Sequence, residues 1–142
     1  MKKYSISLLS MILSVVFITS VNAAPAMQEM AEKDAPVFSV ARLLIAGSIE
    51  DREPVGVVGT YAASTEKVYC FLEATDIKED TEISFVWYHE NTRKAIVILP
   101  MNKGPKWRTY SSKKLGGLTG EWKVELFDAV GHVVHEVGFT VE

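Results

Sequence analysis

Three histidines, one cysteine and a serine pair are the groups here that could carry covalent or acid–base chemistry, and their placement argues against it. His132 and His135 are three apart, which on a strand sends them to opposite faces, so they cannot converge on one metal without a bulge. His89 begins a loop and has no second ligand suggested nearby. Ser111 and Ser112 lack a G-x-S-x-G elbow, and no histidine or acid is placed by sequence to activate them. Cys70 sits inside the apolar run Val68-Tyr69-Cys70-Phe71-Leu72, the setting of a small core residue. Asp76, Glu79, Asp80 and Glu82 form an acidic loop, but calcium needs about six to eight converging oxygens and this spacing matches no such loop. No phosphate loop, dinucleotide fingerprint or Cys-x-x-Cys pair occurs. The expectation is a protein that is not an enzyme, with no catalytic residues, metal or cofactor.

Residues suited to holding a partner stand out more. In Lys106-Trp107-Arg108-Thr109-Tyr110, a strand would put Trp107 and Thr109 on one face and Arg108, Tyr110 and Ser112 on the other. A guanidinium beside an aromatic ring can hold peptide, carboxylates or sugars. Lys106, Lys113 and Lys114 add positive charge at the strand ends. The roles expected are Trp107 or Tyr110 as apolar anchor, Arg108 as planar donor, and Lys113 and Lys114 as an electrostatic rim. The competing assignment buries Trp107 and pairs Arg108 with an acidic neighbour. Asp51-Arg52-Glu53-Pro54 fits two roles, a clasp between loop and sheet or a polar contact loop. Residues 93–123 hold eight basic side chains against Glu121 alone, in a chain of net charge −3. That split predicts either a positive region on an acidic surface or a set of solvated strand faces.

Short strands must position these groups. Candidate strands cover residues 37–49, 57–61, 67–74, 82–89, 94–99, 107–112, 121–128 and 132–141. Val68, Cys70, Leu72 and Ala74 share one face of the third, with Tyr69, Phe71 and Glu73 on the other. Trp87 and Trp122 lie in phase with aliphatic neighbours and belong to the core. Ala129-Val130-Gly131 supplies the turn of a closing hairpin. About seven or eight strands, with turn signals between them and no convincing long helix, predict an all-β antiparallel sandwich of the immunoglobulin-like kind.

The first residues speak to compartment. Lys2 and Lys3 precede an apolar run, and Val21-Asn22-Ala23 closes it as a small-x-small cleavage signal. This layout predicts a secretory signal peptide over residues 1–23, cleaved near Ala23, and so a periplasmic or secreted product without stable membrane insertion after cleavage. Residues 24–36 read as a flexible leader and 37–142 as the folded domain. Cys70 stands alone, so no intrachain disulfide forms in the oxidising compartment to which export leads.

The last third carries a recognisable pattern. Residues 104–113 (GPKWRTYSSK), then 120–126 (GEWKVEL) and 128–131, resemble a bacterial family catalogued as domain of unknown function 2914. Asp51-Arg52-Glu53-Pro54-Val55, Val68-Tyr69-Cys70-Phe71 and Val86-Trp87 fall in that family's order, so the resemblance covers about residues 37–142. Glu90-Asn91-Thr92-Arg93 departs from it by lacking a glycine. The resemblance implies domain boundaries and no established activity. Joined to the residue reading, it leads to an expected exported, non-catalytic binding module of the bacterial envelope, working by protein–protein contact and not on nucleic acid. A carbohydrate-binding module for an acidic glycan or cell-wall polymer is the alternative, and a hydrolase the third.

Overall fold

Alternation of Val68, Cys70, Leu72 and Ala74 forces one face of a strand into an apolar layer, and that strand is central to the fold. A computed structural model describes residues 35–142; the expected signal peptide and nearly all of the expected leader lie outside the described residues. The central strand, β5 (Lys67–Ile77), pairs on either side with β1 (Ser39–Ala46) and β8 (Gly104–Lys114) in a three-stranded antiparallel sheet. Facing it is a five-stranded sheet in the order β4 (Thr60–Tyr61), β10 (Val133–Val141), β9 (Gly120–Phe127), β6 (Thr81–His89) and β7 (Thr92–Met101). Only β4 and β10 run parallel among these neighbours. The sheets share one core, to which β5 gives Val68, Cys70 and Leu72, β6 gives Ile83, Phe85 and Trp87, and β9 gives Trp122, Val124 and Leu126. Trp87 of β6 is fully buried and donates its indole N–H to Ser111 Oγ at 3.0 Å. A buried tryptophan on that strand is an immunoglobulin-type feature. The all-β, immunoglobulin-like sandwich expected from the sequence is the fold observed.

Two segments differ from their expected form. The strand expected over 37–49 breaks at Gly47, whose N–H reaches the carbonyls of Val55 and Gly56 at 3.0 and 3.1 Å. The chain leaves the sheet there and builds a small hairpin from β2 (Ser48–Glu50) and β3 (Glu53–Val55). Asp51 and Arg52, at φ 49° and 64°, form its two-residue turn in the left-handed region. The strand expected over 57–61 shrinks to β4. There the Tyr61 hydroxyl lies 3.1 and 3.0 Å from the carbonyls of Ile45 and Gly56, tying hairpin to sheet.

The β6–β7 turn solves its missing glycine in a similar way. Glu90 and Asn91 take φ 47° and 62°, and the Glu90 carboxylate accepts the Glu121 N–H at 2.8 Å. The glycine sits across the gap instead: Gly120 has φ 108°, and a side chain there would collide with the Glu90 carboxylate. The β9–β10 turn is as read from the sequence, with Gly131 at φ 93° and Asp128 Oδ1 accepting the N–H groups of Val130 and His132.

Candidate binding face

Strand period decides which β8 side chains can meet a partner. Lys106, Arg108, Tyr110, Ser112 and Lys114 lie on the outer side, opposite Thr75, Glu73, Phe71, Tyr69 and Lys67 of β5. Trp107, Thr109, Ser111 and Lys113 lie on the inner side, in register with Ala74, Leu72, Cys70 and Val68.

Charge organises the outer side. Glu73 lies between two arginines, its Oε2 at 2.7 Å from both Arg42 Nη2 and Arg108 Nε. Glu53, at the start of β3, reaches down from the hairpin to the same pair, at 3.1 Å from Arg42 and 2.8 Å from Arg108. Two carboxylates and two guanidiniums thus alternate in a neutral lattice that pins the hairpin to the sheet. Hydrogen bonds from Arg42 and then Arg108 hold the Glu73 carboxyl down at about 2. The Arg42 hydrogen bond likewise keeps Glu53 below its ordinary range. Phe71 is only 1% exposed although it faces away from the shared core, and the Arg42 guanidinium stands 4.9 Å over its ring.

Beside this lattice the surface opens. A hollow of about 410 Å³ is lined by Ile49, Arg52, Phe71, Arg108, Thr109 and Tyr110. A second of about 290 Å³ shares Arg52 and Arg108 with it and adds Lys106. No carboxylate lines either one. Arg52 and Lys106 form no ion pair among the described residues. Tyr110 is 48% exposed and meets Tyr69 edge to face, with centroids 5.6 Å apart and planes at 70°. Two cations without an ion pair among the described residues, Arg52 and Lys106, stand beside the paired Arg108, and with an exposed phenol and an apolar floor they suit a ligand with an anionic group next to an apolar one.

The structure sorts the candidate residues individually. Arg52, Lys106, Arg108 and Tyr110 come together, although the first is more than fifty positions from the others. Glu53 is the clasp, while Asp51 shares the turn that presents Arg52. Trp107 is corrected as anchor: it is half-buried and packs against the core, and its indole N–H is buried without a partner. Lys113 leaves the face too, because its inner position lets Nζ donate to the Lys114 carbonyl at 3.0 Å. Lys114 remains on the face, next to Lys67. The positive region expected over 93–123 is divided among faces; Lys123 of β9, for example, pairs with Glu125 at 2.8 Å. Ile49, Tyr69 and Phe71 were not expected at the site. The alternation of 67–74 already held the signal for the last two.

The groups considered for chemistry are spread apart. Ser111 is buried beneath Trp87, His89 Nε2 lies 2.7 Å from the Thr119 carbonyl, and His132 Nδ1 lies 3.4 Å from Asp128. Burial drives the Cys70 thiol pKa upward, away from the reactive thiolate. Among the described residues no three His, Cys, Asp or Glu side chains group as a metal site requires.

Comparison with known proteins gives the fold little company in sequence. No curated protein matches. Solved structures similar to this chain include a selenomethionine-labelled β-glucosidase from Kluyveromyces marxianus and the β-glucosidase from Kluyveromyces marxianus in complex with glucose. Each matches at 10% identity and a TM-score of 0.45, over 74% of this chain. The chain spans 14% of the length of either enzyme. Residues 80–141, which hold β6 to β10 and with them the outer row of β8, match a family model described as a protein of unknown function. The family that the motifs around Trp87, Trp107 and Trp122 resemble and the family whose model matches residues 80–141 are the same, DUF2914.

Proposed function

We propose that this chain is an exported, non-catalytic binding module of the cell envelope, which contacts a partner protein through the outer face of β8 and the β2–β3 hairpin. The observation that carries this reading is the convergence of Arg52, Lys106 and Arg108 on hollows with no lining carboxylate, beside the exposed ring of Tyr110. A protein partner is favoured over an acidic glycan because Tyr69 and Tyr110 meet at 70° and offer no continuous stacking plane. Export is supported by the leader sequence, with its two lysines, apolar run and Val21-Asn22-Ala23 end.

Two measurements test it. Charge reversal at Arg52, Lys106 and Lys114 lowers partner capture in crosslinked envelopes about tenfold at low salt, because rim charges govern encounter. Unchanged capture rejects the face. The mature protein appears in the periplasmic or secreted fraction with its N-terminus near residue 24; a cytosolic product with an intact leader rejects export.

A further inference from the structure

We infer that the partner segment is an extended, acidic peptide that adds to the free edge of β8 as a fourth strand of the smaller sheet. This rests on the contact face proposed above and specifies what occupies it. β8 pairs with β5 on one side only, so along eleven residues every second N–H and C=O turns toward an unpaired edge. Unpaired edges are usually blunted by proline, by charged side chains such as lysine, or by charges that point inward. The outer Lys106 and Arg108 of β8 discourage a second copy of this edge but admit an acidic strand. The proline and the inward charge stand at the ends of β8, Pro105 near the start and Lys113 on the inner side near the finish, so the main chain between them is unpaired on its outer edge. Trp107, Thr109 and Ser111, on the inner side of that run, carry no charge.

The outer row of this open run specifies the partner's chemistry. Lys106, Arg108, Tyr110 and Ser112 recur every second residue, at roughly 6.6 Å intervals. A strand laid alongside, about 4.8 Å away, places its own alternate residues beside them. A carboxylate then faces Lys106, within reach of Arg52 from the hairpin, and an apolar side chain faces Tyr110 and its hollow. Main-chain bonds supply affinity and the alternate side chains supply selectivity. A glycan could match the charges but not the regular donors and acceptors of the edge.

The test uses an acetylated, amidated nine-residue peptide of alternating glutamate and threonine, with one central leucine in the glutamate register. Binding to the full chain is followed by backbone amide shifts and hydrogen exchange. The expected result is new protection of alternate amides within residues 106–112, with affinity about tenfold lower for the Arg52→Glu/Lys106→Glu variant. Both residues lie outside the core, and an unchanged melting temperature verifies the variant's fold. A peptide of the same composition with its glutamates consecutive binds more weakly and protects no alternate pattern. Equal binding of both peptides without amide protection overturns strand addition, as does binding of polygalacturonate with no response to either peptide. If the charge-reversed chain loses its envelope partner while the peptide protects no β8 amide, strand addition falls and the contact face stands.

Discussion

Replacing Trp87 with alanine should lower the unfolding free energy by about 3–5 kcal/mol, the largest single effect expected in this domain. The indole is fully buried between the sheets and meets Phe139 edge on, with centroids 6.4 Å apart. Truncation removes apolar contact from both layers at once and leaves a cavity that two hydrogen-bonded sheets cannot readily collapse. It also strips the Oγ of Ser111, a residue only 3% exposed, of its donor. Trp87→Phe separates the two contributions, because it keeps most of the volume and loses the hydrogen bond, at a cost of about 1–2 kcal/mol. Urea denaturation of both variants, followed by circular dichroism, measures the difference. A Trp87→Ala loss below 1 kcal/mol would contradict the packing described.

Glu73→Gln should cost about 2–4 kcal/mol, because two arginines lose the more buried of the two carboxylates they share and keep only Glu53 between them. The same group predicts a pH dependence. Its pKa is lowered in the fold from about 4.5 to about 2. Folding is therefore favoured by the ionised form, and this contribution is complete above about pH 4.5 and declines as the pH falls toward 2. Urea midpoints for the parent should drop across that window, whereas Glu73→Gln should show a shallower slope there. Parallel profiles for the two proteins would show that Glu73 is not the titrating clasp.

How far the sequence discloses this arrangement depends on how local each cause is. The alternation of residues 67–74 and 82–89 and the Asp128–Gly131 turn are written in neighbouring residues, and they are legible. The β2–β3 hairpin is not. Its turn places Asp51 and Arg52 at positive φ with no glycine, which is uncommon for such residues. Its stability comes from Glu53 reaching Arg42 and Arg108, and from Tyr61 beneath it. The site divides the same way. That Arg108 and Tyr110 share a side follows from strand period, whereas the arrival of Arg52 depends on where a folded-back hairpin lands. Trp107 shows the limit of composition: a tryptophan among lysines and arginines reads as a contact residue, but its register with Ala74 turns it inward.

The position of the solitary thiol has a consequence for chain quality in an oxidising setting. Cys70 is shielded by both layers in every intact molecule and has no second thiol within the described residues with which to pair wrongly. Only a molecule whose layers have parted can oxidise there, and its covalent partner must then come from outside that stretch. A doubling of mass on a non-reducing gel would therefore count the molecules that have come open, and would leave the intact population unmarked.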